Sequence, residues 1–164
     1  MLYMKLLKEA TGQMPRLVGA VLNPQVQAEQ ITTFNSSGTF TAQPLSSTAN
    51  ILVVAGGGAG GGELGAGGGA GGYREISSHP IPASPFPITI GAGASGAPNT
   101  AGASGNPSIL GAASPITSNG GGGGGAVAGG PGDAASNGGS GGGAGVIAPA
   151  TGYGAGNTPP TSPS

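Results

Sequence analysis

The chain has 164 residues, 39 of them glycine and 15 proline, with four basic and five acidic residues and a net charge of −1. So few cations cannot track a phosphate backbone or an anionic bilayer, so neither nucleic acid nor a membrane is expected as a partner. There is no cysteine for a disulfide or a thiolate metal site, and no apolar run of about 20 residues to insert into a membrane.

Residues 1–30 differ from the rest. They hold all three methionines and three of the four basic residues. Lys5, Lys8 and Glu9 interrupt the apolar start, so a secretory leader is not expected. Leu2, Met4, Leu6 and Leu7 make a short stretch with helical potential, stopped by Gly12 and Pro15. Leu17, Val18, Val21 and Leu22 follow, before an Asn23-Pro24 turn. These eight apolar residues define an expected docking arm, extended or partly helical, that anchors the chain to a neighbour. The plainer alternative is a solvated tail.

From Ile31 the pattern turns to β. The segment ITTFNSSGTFTA reads as one or two short strands with a Ser37-Gly38 turn. The apolar run ILVVA at 51–55 reads as a strand buried on both faces. YREIS at 73–77 makes another. Pro80, Pro82, Pro85 and Pro87 remove ladder donors, so the stretch up to Pro87 is expected at an edge or as polyproline II, with Ile88-Thr89-Ile90 finishing as strand. Residues 91–107, GAGASGAPNTAGASGNP, read as loop. SILGAASPITS at 108–118 gives two more short strands, and GVIAPA at 145–150 a last apolar piece. The tail 154–164 is peripheral and proline-rich.

Two glycine tracts separate these pieces, at 56–72 and 120–145. Glycine and proline at about a third of the residues, without a Gly-X-Y period, fit low complexity first. Disordered chains, however, are usually strongly charged, and this one is 5% charged. The alternative is close packing of extended three-residue-per-turn helices. Their N–H and C=O groups point outward and must find partners. At about 3.1 Å per residue the tracts would run roughly 50–80 Å if straight. They must therefore fold back, at Glu63-Leu64 and at Pro131-Gly132-Asp133.

Chemistry is sparse. His79 is the only histidine, and Glu63, Glu75 and Asp133 are the only acids beyond the arm. No nucleophile elbow of the strand–GxSxG–helix kind is expected and no metal ligands cluster, so neither an enzyme nor a cofactor or metal site is expected. Gly56, Gly58 and Gly61 match GxGxxG after a plausible strand, but the glycine that follows cannot form the required helix. Tyr73, Arg74 and Tyr153 are the side-chain-rich points of the glycine region and the candidate surface contacts.

The order of the pieces carries a resemblance. GTFT at 38–41, LVVAGGGAGGG at 52–62, GGAGGYRE from 68, PITIGAGASG at 87–96, NPS at 106–108, ITSNGGGGGG at 116–125 and GGSGGGAG at 138–145 follow one another. This resembles the glycine-rich domain of bacteriophage structural proteins, over about residues 31–153. The resemblance implies a mainly β fold: a compact sandwich-like domain of short strands with glycine-rich tracts, polyglycine II being one form of them. It also implies a virion location. The organisation expected is a docking arm (1–30), a glycine-rich β domain (31–153) and a tail (154–164).

The leading functional expectation is a virion structural protein: a head decoration or cement protein, a head fibre or a short tail-fibre subunit. Its partners would be other capsid or tail proteins and further copies of itself, a trimer among the options. Related adhesin tips touch the bacterial surface through loops. Here the tracts are interrupted by Glu63, Leu64, Val127 and Asp133, and the loops lack the aromatics and charges of such a tip. A receptor-binding adhesin is therefore the second expectation, and a disordered glycine-rich coat or secreted protein the third.

Overall fold

The computed structural model describes residues 1–7, 29–43, 46–81, 85–111, 115–126, 134–145 and 152–156. Among them the only regular elements are eight strands: β1 (Leu2–Leu7), β2 (Gln30–Phe34), β3 (Gly38–Phe40), β4 (Thr48–Val54), β5 (Tyr73–Pro80), β6 (Phe86–Thr89), β7 (Ser108–Leu110) and β8 (Ile116–Ser118). They form two antiparallel four-stranded sheets, ordered β2-β1-β4-β5 and β3-β6-β7-β8. The chain is thus mainly β.

Alternation of side chains fills the space between the sheets. Leu2, Met4, Ala49, Ile51 and Val53 of the first sheet face Phe40, Phe86, Ile88, Leu110 and Ile116 of the second, all buried. Phe34 meets Phe40 edge-on at 6.4 Å and Phe40 meets Phe86 at 5.1 Å, closing one side of the sandwich. On the other side Arg74 Nη1 in β5 donates to the Thr117 carbonyl in β8 at 3.0 Å.

Several sequence expectations change here. The start of the chain, expected as an extended or partly helical arm, is a strand of the domain itself: β1 lies inside the first sheet, pairing Leu2 with Phe34 on one side and with Val53 on the other. ITTFNSSGTF does make two strands, but they enter different sheets. β4 buries one face only; Leu52 and Val54 are half-buried on the other. β6 is an interior strand despite Pro87. Pro87 can donate no bond to the β7 side, yet its carbonyl still accepts from Gly111 N–H at 2.8 Å, so a single ladder bond is forgone.

The glycine tracts continue the strands. β4 runs into residues 55–62, which turn at Glu63-Leu64 and return through 65–72 into β5. β6 runs into 91–96, and 101–106 lead back into β7, so the stretch read as loop is a second up-and-down pair. β8 runs into 119–126. Glu63 (φ 53°) and Asn99 (φ 59°) take the left-handed conformation at the two reversals. The expected Pro131-Gly132-Asp133 reversal, the apolar piece at 145–150 and the tail lie outside the described residues, apart from Gly145 and residues 154–156.

The hydrogen bonds between these segments repeat every third residue. Ala55, Gly58 and Gly61 donate to Gly72, Gly69 and Ala66, while Gly56, Ala59 and Gly62 donate to Asn106, Ala103 and Thr100. Ala66, Gly69 and Gly72 donate in turn to Gly125, Gly122 and Asn119. A period of three is that of the polyglycine/polyproline II helix, whose faces repeat at i, i+3 and i+6. Residues 119–126 form the axis. Gly121 and Gly124 donate to Gly56 and Ala59 and accept from Gly105 and Gly102. Gly120 and Gly123 accept from Gly139 and Ser136, and Gly122 and Gly125 donate to Ser140 and Gly143.

Residues 120–126 are buried throughout, without side chains larger than methyl. A Cβ on Gly120 or Gly123 would land on the carbonyl of Gly105 or Gly102, one on Gly121 or Gly124 on that of Gly69 or Ala66, and one on Gly122 on that of Ser136. Gly67, by contrast, has open space there. Gly123→Ala is therefore expected to cost about 3 kcal/mol, the upper end of overpacking, because backbone cannot rotate aside as a side chain can. Gly67→Ala should leave stability unchanged or raise it by about 0.4–1 kcal/mol through the unfolded chain. Denaturant unfolding of the two variants side by side checks the bundle; equal losses would refute the packing.

Candidate interaction surface

The expected docking residues do not form one surface. Leu2 and Met4 are 1% and 0% exposed in the sandwich core. Their expected role as docking side chains is corrected by that burial: an inward residue of an interior strand has no face to offer a partner. Leu6 and Leu7 occupy β1 positions opposite Ala49 and Thr48. Leu17, Val18, Val21 and Leu22 lie outside the described residues. Residues 2–7 therefore belong to the β domain, and the docking expectation narrows to the segment 8–28.

Tyr73 and Arg74 sit where the returning glycine segment becomes β5. Tyr73 is exposed, and Arg74, half-buried, is held against β8 by its bond to Thr117. Arg74 thus joins the two sheets. It is Tyr73 that engages Glu75: its hydroxyl donates to Oε2 at 3.2 Å. That bond, and then the repulsion between a phenolate and the carboxylate, hold the Tyr73 phenol above its ordinary 10.0. Tyr153, also exposed, belongs to the last described segment, where Gly154 N–H donates to Gly142 O and Gly138 N–H donates to Ala155 O.

Three further exposed apolar side chains were not singled out in the sequence: Leu64, Ile31 and Met1. Leu64 caps the reversal beside Glu63, and the Asn99 reversal is adjacent, since a Cβ on Gly62 would meet Asn99 N. The Glu63-Leu64 interruption of a glycine run was the signal for this tip. Ile31 gave none, because an apolar residue in an alternating strand is as easily inward as outward, and Met1 stands just before β1.

The three glycines of the match to a dinucleotide loop are already engaged. Gly56, Gly58 and Gly61 give their N–H groups to Asn106, Gly69 and Ala66, and the chain continues as an extended helix. Among the described residues no group of three or more His, Asp or Glu could hold a metal ion. His79 is half-buried at a β5 position paired with Ala49. Ser108, fully buried, ties sheet to bundle: its Oγ donates to Val54 O at 2.8 Å and accepts from Gly91 N–H at 2.9 Å.

Truncating the buried Met4 to Ala should cost about 2–5 kcal/mol in unfolding experiments, as for any large core residue; a variant as stable as the parent would return Met4 to a surface role. For Tyr73 the raised pKa means that the fold favours the protonated phenol. The stabilisation is present below pH 10.0 and lost as the pH rises through the folded value. An ultraviolet titration of the parent minus Tyr73→Phe should give a midpoint above 10.0, moving back toward it when Glu75 is replaced by Gln.

A family model described as a glycine-rich domain matches residues 32–162. The chain belongs to that family. No curated protein and no solved structure matches it.

Proposed function

We propose that this glycine-rich-domain protein is a structural component of a bacteriophage virion, acting by protein–protein assembly and not by catalysis. The roles that fit are head decoration or cement protein, head fibre, or short tail-fibre subunit. The observation that carries the reading is the bundle. Its interior is backbone against backbone, with every glycine of the axis bonded to a neighbouring segment and no side chain to bind or transform a small molecule. Such a body is a spacer or a mount. The order of motifs from GTFT to GGSGGGAG supports the phage setting by resemblance. In this reading the segment 8–28 docks on capsid or tail, and the β domain associates with further copies of itself.

A specific observation favours a second reading. Leu64 stands 74% exposed at the reversal between the 55–62 and 65–72 segments, with the Asn99 reversal beside it. An apolar tip on a stiff mount is the arrangement a receptor-binding adhesin would use.

The test uses the hairpin relation of β1 and β2. Leu6 pairs with Gln30, so residues 8–28 can be replaced by a short Asn-Gly-containing turn without removing either strand. The shortened chain is expected to fold but to be missing from purified particles, while the full chain is located on head or tail by electron microscopy. Incorporation of the shortened chain would refute docking through that segment. Absence of the full chain from particles would refute the virion reading, and loss of host binding on Leu64→Ser would favour the adhesin.

A further inference from the structure

A sandwich has four edge strands, and three of these are blunted. β3 and β8 are each three residues long. β5 carries Arg74, Glu75 and Pro80, and Ser78 at φ 53° marks a bulge where its register slips against β4, its N–H bonded to the Asn50 side chain. Short length, charge, proline and bulges are the devices that stop an edge from pairing with another chain. β2, with sequence QITTF, has none of them. It is five residues long, uncharged, regular in register and rich in β-branched residues.

The hydrogen-bond phase of the sheet fixes what this edge presents. Val54 N–H donates to Met1 O at 3.0 Å and the Met1 ammonium donates to Val54 O at 3.3 Å, so these residues are a bonded pair. Bonded and non-bonded pairs alternate along an antiparallel ladder. Tyr3–Leu52 and Lys5–Asn50 are then the bonded pairs between β1 and β4. Leu2, Met4 and Leu6 turn their peptide groups the other way, toward Phe34, Thr32 and Gln30. The same alternation requires Ala55 to bond across to Gly72 on the β5 side, and it does, at 3.0 Å. The N–H and C=O of Ile31 and Thr33 therefore point out of the sheet. Both residues are exposed, Ile31 to 54%.

We infer that this edge is a homodimer contact. A second copy of the chain adds its own β2 antiparallel about a two-fold axis through Thr32. The outward pattern is self-complementary in that register: Ile31 exchanges both bonds with Thr33 of the partner subunit, and Thr33 does so with Ile31 of the partner subunit. Thr32 faces Thr32 of the partner subunit as a non-bonded pair. The two first sheets become one continuous sheet, and Ile31 packs beside the partner's Thr33 methyl on its outer face. A second copy suits this edge because an uncharged strand offers nothing to steer an oppositely charged partner, whereas its bonds are all met by an identical strand.

This inference takes up the self-association within the virion reading. It is tested on the purified full chain, so its failure stands apart from failure of the particle experiment. Thr32→Cys is the direct probe, because the chain has no other cysteine. A non-bonded antiparallel pair brings Cα atoms to about 4.5 Å, within the span of a disulfide. Under mild oxidation Thr32→Cys is expected to give a covalent dimer many-fold faster than Ser77→Cys on the β5 edge.

Sedimentation should give twice the chain mass of 15.0 kDa for the parent and the single mass for Thr33→Pro, which removes an outward N–H that no bond among the described residues uses. Ile31→Lys repeats the measurement with an edge charge should the proline variant fail to fold by circular dichroism. Equal cross-linking of the two cysteine variants overturns the proposal. So does a parent of single or triple mass, or a dimer that survives both edge substitutions. A monomer whose β2 edge is filled by another protein's strand also overturns it.

Discussion

A helix of three residues per turn makes no hydrogen bond within itself. This one constraint organises the molecule. Every N–H and C=O of such a segment is an unpaid polar group until another segment lies beside it. The axis at 119–126 solves this for its neighbours and they for it, with bonds running to 55–62, 65–72, 101–106 and 134–145. No single segment is stable without the others, so the bundle must form as a unit. Each bond contributes about 1 kcal/mol net, and ordering one glycine backbone costs roughly as much or more. The bundle is therefore balanced on its bonds being complete, and a methyl group placed between two backbones acts on several bonds together.

The sandwich supplies what the bundle lacks. Glycine segments bury almost no apolar surface, so the hydrophobic contribution comes from the ten-residue core between the sheets. Because the segments are direct continuations of β4, β5, β6, β7 and β8, the sheets also set their spacing and alternating direction. Ser108 fastens this junction by bonding at once to the last residue of β4 and to the first glycine after the β6 strand. Nearby Ser118 is equally buried, yet its Oγ has no hydrogen-bond partner in the structure.

Much of the fold was legible, but one pattern was not read for what it was. The strands at 30–34, 38–40, 51–54, 73–77, 88–89, 108–110 and 116–118 follow from β-branched and aromatic runs between turn residues, and the reversal at Glu63-Leu64 from an interrupted glycine run. What looked like loop at 91–107 is bundle, and the spacing of its glycines says how it is buried. In AGASGN, Gly102 and Gly105 stand three apart and both bond the axis, while Ala103 and Ser104 between them are exposed. At 120–125 every residue is glycine and every residue is buried. The number of faces a segment buries sets how many of each three residues must be glycine: one face needs G-x-x-G, and all faces need an unbroken run. Composition hides this, whereas the period shows it. The N-terminal strand was misread for a different reason. LYMKLL alternates weakly and is short, so its partners on both sides, 24 or more residues away in sequence, decide its structure.

Glycine richness points first to a chain that needs companions, because so few side chains make little core. The bundle reverses that inference. Its segments satisfy one another inside a single chain, and its buried axis offers nothing to a neighbour. In the assembly proposed above, contacts would fall to ordinary protein features at its margins: an uncapped strand edge, an exposed tip residue such as Leu64, and an exposed tyrosine such as Tyr73. These positions can vary without touching the glycine framework, because none of them contributes a bond to the axis. In the proposed structural role, the backbone framework would serve as the mount and the side chains at its margins as the attachments.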